Sequence, residues 1–169
     1  MSITRLDTQE ALVALDIDTS ILATEKPEDY ALQVTLMDGG ECVLSWSGGI
    51  AEGKSLTFSL SRPKLWWPRP YGAPYLYQFS LSLCRGGELI QQRTQQFGIR
   101  TIAILQEDQP DGRSFQIAVN GKKIFIRGAN WVPINTVYTD IKEEDYENLI
   151  DYAAKGNVSM LRIWGGGIY

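Results

Sequence analysis

Arg162 and Trp164 stand two residues apart in the run Met160-Leu161-Arg162-Ile163-Trp164, and Gly165, Gly166 and Gly167 follow at once. A guanidinium set in an apolar strand must find an anion or a row of acceptors, because an unpaired buried charge is very costly. Successive glycines let a backbone turn tightly and let a ligand approach closely. Arginine, tryptophan and glycine together at a strand end therefore read as the wall of a binding site. The plainer alternatives are a salt bridge for Arg162 and simple packing for Trp164. A phosphate cradle is disfavoured, since no lysine follows in the spacing such a loop needs.

What the chain lacks narrows the chemistry further. It has no histidine, which removes Ser-His-Asp and Cys-His arrangements, His-ligated metals and the usual acid–base group near neutral pH. Two cysteines, Cys42 and Cys84, cannot build a four-thiolate zinc site. They either form one disulfide across a sandwich or act as two buried thiols. Glu143, Glu144 and Asp145 cluster where a helix begins, and negative charge is favoured there for structural reasons. Asp108 and Asp111 fall in a turn-rich junction and read as solvated. No metal ligand set is thus expected within this chain. A net charge of −4 and a pI near 4.9 argue against a nucleic-acid partner. No apolar run approaches the roughly 18 residues of a membrane span. Five Trp and eight Tyr are many for this length; aromatic faces bind sugars, but they also fill β-sandwich cores.

The elements that must position Arg162 follow from the pattern of apolar residues. Leu12, Leu15 and Ile17 suggest a first strand. Tyr30, Leu32, Val34 and Leu36 alternate; 41–46 returns after an Asp-Gly-Gly turn, and Leu56, Phe58 and Leu60 alternate again. Short strands with turn signals about every ten residues read as an all-β sandwich. Four prolines in 62–77 exclude a central strand or a helix there, so Trp66 and Trp67 read as part of a rigid extended segment. Tyr75 to Leu83 alternates strongly, and a long strand over 89–105 follows it. An acidic junction at 106–113 is the expected boundary. Beyond it, Asn120-Gly121 predicts a tight hairpin joining strands over 114–119 and 122–127. Asn130 to Pro133 is expected in the loop that follows. A helix over about 140–155 should start at Asp140 and Glu143, turn Tyr146, Leu149, Ile150 and Ala153 to one face, and stop at Gly156. A last strand over 158–164 then makes a βα unit with a parallel partner.

Leu65-Trp66-Trp67-Pro68, Pro74 to Tyr77, Phe97-Gly98-Ile99-Arg100, Val119-Asn120-Gly121 and Ile126 to Pro133 occur in the order seen in glycoside hydrolase family 2. The closing Met160 to Tyr169 run resembles that family's β-mannosidase branch, and the resemblance extends from about Glu10 onward. It implies a mainly β chain: an immunoglobulin-like β-sandwich over 1–108, then over 109–169 the first βα unit and second strand of an incomplete (β/α)8 barrel. It further implies a parent enzyme that hydrolyses β-linked mannosides or oligosaccharides with retention and without cofactors. The two catalytic glutamates would lie on later barrel strands, so the fragment by itself would be inert.

The same resemblance assigns residue roles. Arg162 matches an arginine that orients the nucleophilic carboxylate and keeps it ionised, which is sound physics because a nearby cation lowers a carboxylate's pKa. Trp164 matches an aromatic of the mannose subsite, and Gly165 flanks it. Asn130 and Trp131 are placed just past the first barrel strand on the catalytic face. Trp66 and Trp67 are assigned to structure, as a clamp between sandwich and barrel. A rival from another class is a non-catalytic β-sandwich module, binding carbohydrate or protein, whose C-terminal segment merely completes the sandwich. Truncated barrel strands should also leave apolar surface exposed, giving a dimer or a poorly ordered tail after about residue 113.

Overall fold

The structure, a computed structural model, describes residues 2–6, 9–18 and 26–166. The chain divides into two compact units, one formed by Met1–Trp66 with Tyr75–Thr101, the other by Trp67–Pro74 with Ile102–Tyr169.

In the first unit β1 (Ser2–Leu6), β2 (Glu10–Asp16) and β5 (Ser55–Ser61) form one antiparallel sheet in the order β1-β2-β5. β3 (Tyr30–Asp38), β4 (Glu41–Gly49), β6 (Tyr77–Arg85) and β7 (Glu88–Phe97) form the other, ordered β4-β3-β6-β7. Alternation explains both sheets: Tyr30, Leu32, Val34 and Leu36 of β3 are buried, and Leu83, Leu81 and Phe79 of β6 stand opposite the last three. Ala11, Val13, Leu36, Leu60, Tyr77 and Ile99 close one core cluster, with residues from both sheets. A second cluster joins Tyr30 and Leu32 to Ile50, which is carried by the single-turn α1 (Ile50–Gly53). This three-on-four arrangement is the expected β-sandwich.

Several local expectations change. The buried face of β2 is Ala11, Val13 and Leu15, so Leu12 lies on the opposite face; period two, not hydrophobic size, sets the phase. The strand expected over 89–105 breaks after Phe97. Ile99 enters the core fully buried while its carbonyl accepts the Trp66 N–H at 2.9 Å. Trp66 lies over Gly98, where a Cβ would come within 3.0 Å of the indole, and the Arg100 guanidinium sits 4.3 Å from its ring centre. Cys42 is exposed and Cys84 buried, both as free thiols. They pair with Met37 and Ala31, at opposite ends of β3, which rules out the disulfide and leaves one buried thiol rather than two.

Asp38 anchors the start and end of the proline-rich segment. Its carboxylate accepts from the Tyr75 hydroxyl and from Lys64 Nζ, the latter at 2.9 Å, while the Lys64 N–H donates to the Tyr77 hydroxyl at 2.8 Å. The Tyr75 hydroxyl and the Lys64 ammonium hold the Asp38 carboxyl below its usual range, and burial pushes the Tyr77 phenol up.

In the second unit β8 (Ile102–Leu105), β11 (Gln116–Val119) and β12 (Lys122–Ile124) form an antiparallel sheet ordered β12-β11-β8. The predicted Asn-Gly hairpin joins β11 to β12, with Asn120 at φ 50° and Gly121 at φ 76°, the left-handed pair a two-residue turn requires. Between β8 and β11 a small ribbon, β9 (Asp108–Gln109) with β10 (Gly112–Arg113), occupies the stretch read as a plain junction. The strand expected over 122–127 ends at Ile124. β13 (Gly128–Trp131) forms instead where a loop was expected, and it pairs in parallel with β14 (Met160–Ile163).

The helix α2 (Glu143–Lys155) starts three residues later than predicted, because Asp140 ends a 3-10 turn. Asp145 caps it, its carboxylate accepting the Lys142 N–H at 2.9 Å. At its end Asn157, not Gly156, takes the left-handed conformation at φ 54°. The Asn157 and Val158 N–H groups reach back to the Ala154 and Ala153 carbonyls, as in a Schellman motif.

Candidate functional site

The candidate site is built on the parallel pair β13–β14. Its register sets Gly128 opposite Met160, Ala129 opposite Leu161, Asn130 opposite Arg162 and Trp131 opposite Ile163. Alternation places Asn130 and Arg162 on one face and their chain neighbours on the other. Arg162 Nη1 accordingly reaches Asn130 Oδ1 at 3.5 Å, the long limit of a hydrogen bond. Both side chains are exposed, and Arg162 pairs with no carboxylate among the described residues. The plain salt bridge expected as the alternative for Arg162 is not formed among the described residues.

Trp164 leaves β14 at its carboxyl end. Its N–H donates to the Trp131 carbonyl at 2.9 Å, so strand pairing holds the backbone up to the indole, which is 49% exposed. Nothing lies within 4 Å of a Cβ built on Gly165, whereas one on Gly166 would come within 3.0 Å of the Trp164 ring. Gly166 rather than Gly165 is thus the glycine that admits the indole. The Tyr138 hydroxyl donates to the Gly166 carbonyl at 3.4 Å. Gly167 lies outside the described residues.

Trp131 is separated from this group. It stacks on Tyr146 of α2, ring centres 6.3 Å apart and planes at 10°, on the strand face opposite Asn130. The geometry thus brings Asn130 and Arg162 together, leaves Trp164 at the strand end, and turns Trp131 toward the helix. Tyr146 was legible as part of an apolar helix face, but its partner was not. Trp66 belongs to the first unit, whereas Trp67 belongs to the second, packed on Gly72.

The helix face predicted to be apolar is covered only in part, by Trp131 on Tyr146. Tyr146, Leu149 and Ile150 are exposed, as are Ile102, Phe125 and Ile163 elsewhere in the second unit. Among the described residues no group of three or more Cys, Asp or Glu side chains could hold a metal, and no helix is long and apolar enough to cross a membrane. A cavity of about 430 Å³ in the first unit lies between β2 and β7, lined by Asp16, Phe79, Arg93 and Gln95 among others; it includes none of the site residues.

A family model described as Glycosyl hydrolases family 2 matches residues 4–100, more than half of the chain. The chain belongs to glycosyl hydrolases family 2. The matched region is essentially the sandwich and ends before the site residues. β-Mannosidase B of Emericella nidulans is 35% identical over 156 residues, covering 92% of this chain and 18% of the relative. β-Mannosidase B of Aspergillus fumigatus is 40% identical over 113 residues, 67% of this chain and 13% of the relative. The crystal structure of a β-D-mannosidase from Dictyoglomus thermophilum superposes with a TM-score of 0.82 at 30% identity, over 99% of this chain and 21% of that one. This family 2 chain therefore spans less than a fifth of the length of the curated β-mannosidases it matches.

Proposed function

We propose that this chain is part of a retaining hydrolase of β-linked mannosides, for which it supplies the sandwich and one wall of the sugar-binding site. The observation that carries the reading is the exposed Arg162 beside Asn130, on a parallel strand pair and without a carboxylate partner among the described residues. Catalytic groups of (β/α)8 enzymes project from the carboxyl ends of the strands, where Trp164 also stands. In this proposal β13 and β14 open the barrel, with α2 as the crossover between them.

Each residue then has a defined task. Arg162 faces a glutamate nucleophile supplied by a later strand and keeps it ionised, since a guanidinium favours the charged form of a nearby carboxylate. Asn130 accepts from the guanidinium and restrains its swing. Trp164 offers an apolar face to a sugar ring. A retaining mechanism needs two carboxyl groups about 5–5.5 Å apart flanking the scissile bond, and the resemblance to the β-mannosidase branch puts both outside this chain.

The rival, in which the C-terminal segment merely completes the sandwich, is disfavoured by packing. Among the described residues, both core clusters of the first unit are complete with residues up to Ile99. The test is turnover of aryl β-mannoside, β-galactoside and β-glucuronide by the intact protein and by the 169-residue chain. The proposal expects turnover of the mannoside by the intact protein and none by the chain alone. Preference for another glycoside, or turnover by the chain, would overturn it. The exposed apolar residues of the second unit also support self-association of the isolated chain; sedimentation equilibrium at one-chain mass across concentrations would refute that.

A further inference from the structure

Residues 125–127 join β12 to β13 without belonging to a strand, yet their backbone is held from two sides by hydroxyl groups. The Tyr71 hydroxyl accepts the Phe125 N–H at 2.7 Å and donates to the Phe125 carbonyl at 3.0 Å. Two residues on, Ser159 does the same for Arg127. Its Oγ accepts the Arg127 N–H at 3.0 Å, and its own N–H donates to the Arg127 carbonyl at 2.8 Å. Ser159 immediately precedes β14, and Arg127 immediately precedes β13, so this contact sits just below the first paired residues, Gly128 and Met160.

From this geometry we propose that Ser159, assisted by Tyr71, sets the register of the β13–β14 pair and is a positioning residue for Arg162. The hydroxyl matters because the short pair, four residues to a strand, has few means of fixing its own phase. Side chains alternate along a strand, so a slip by one residue would set Asn130 against Leu161 or Ile163, whose side chains point to the opposite face. The Asn130–Arg162 contact would be lost and the guanidinium re-aimed. An Oγ at position 159 satisfies the N–H of Arg127 in place of a further ladder carbonyl, which ends the pairing at one defined point. Tyr71 performs the same service at Phe125, fixing the approach of the chain into β13. Lys122 Nζ lies 5.8 Å from the centre of the Tyr71 ring and completes that support.

The assignment of Arg162 to glycoside chemistry rests on the proposal above, but the register does not, so the two are tested apart. In the 169-residue chain, cross-strand nuclear Overhauser contacts between Asn130 and Arg162 report register, and amide exchange at Ala129 and Trp131 reports pairing. Ser159→Ala should weaken those contacts and raise the exchange rates roughly ten-fold, a change of the size expected when a local hydrogen-bonded closure is lost. Ser159→Thr, which keeps the hydroxyl, should restore both, and Tyr71→Phe should give a smaller change of the same sign. Signals from Val34 and Ile99 serve as the control that the sandwich is folded. Unchanged contacts and exchange in Ser159→Ala, or failure of Ser159→Thr to restore them, would overturn the proposal. In the intact protein, Ser159→Ala should lower kcat with little change in KM. Loss of register without loss of turnover would refute the catalytic role of Arg162 while leaving the register role standing.

Discussion

Asn130→Asp is the substitution whose effect follows most directly from the site geometry. It replaces the amide oxygen 3.5 Å from Arg162 Nη1 by a carboxylate oxygen, on a face open to solvent. At that separation two unit charges attract by about 1.2 kcal/mol in a fully aqueous dielectric and by about 4.7 kcal/mol at an effective dielectric of 20. Exposed pairs deliver less than the upper figure, typically up to about 1 kcal/mol, because salt screens them and both side chains lose freedom. One kcal/mol corresponds to about 0.7 of a pKa unit. The side-chain carboxyl at position 130 should therefore titrate roughly half a unit below an ordinary aspartate, and the depression should shrink at 1 M salt. Carbon-detected NMR titration of the selectively labelled chain reads this directly, and the Asn130→Asp, Arg162→Gln double variant should restore the ordinary value. An undepressed carboxyl in the single variant would refute the claim that positions 130 and 162 share a face. A depression that survives Arg162→Gln would assign it to another cation. On the proposed function, the same substitution in the intact protein should lower kcat, because the new carboxylate would compete with the nucleophile for Arg162.

Other outcomes follow from the packing. Ile99→Ala removes a fully buried side chain from the core cluster that joins both sheets; it should destabilise the sandwich by about 2–5 kcal/mol in urea unfolding, leaving the denaturant slope unchanged. Asp38→Asn should lower the unfolding free energy at pH 7 by about 1 kcal/mol, through weaker bonds to Tyr75 and Lys64. Because the folded Asp38 carboxyl lies below its ordinary value of 3.8, its contribution is fully present above that pH. It is lost as pH falls through the lower, folded value. Wild type and Asp38→Asn should therefore converge in stability as pH falls through that lowered value, and a gap that stays at its neutral-pH size across the whole acid range would contradict the assignment.

The sandwich was legible because each of its long strands has one apolar face against a shared core. Tyr30 to Leu36 and Tyr77 to Leu83 alternate cleanly, and the glycine turns between strands impose hairpins. Leu12 misled because a large apolar residue can lie on the less buried face, while a small one, Ala11, fills the interior. Beyond Ile99 the pattern weakens for a physical reason: this region has little core of its own, so few positions carry a burial signal. Asn130 and Trp131 fall in a strand whose pairing partner is 32 residues away, and whose limits are held by hydroxyls of Tyr71 and Ser159 rather than by hydrophobic periodicity. The helix start moved because Asp140 ends a 3-10 turn, and the Asp145 carboxylate closes the first helical turn on the Lys142 N–H instead. Arg162 and Trp164 were identifiable by residue type and strand-end position; the separation of Trp131 from Asn130 needed the register.

The central claim is that Arg162 serves the reacting carboxylate of a β-mannoside hydrolase, and one steady-state measurement addresses it. Arg162→Ala in the intact protein, assayed with an aryl β-mannoside across pH, should lower kcat by about 100-fold or more, the loss typical for a charge-stabilising group. The acidic limb of kcat/KM should move to higher pH as the nucleophile loses its neighbouring cation. Turnover and a pH profile equal to those of the unaltered enzyme would contradict the account.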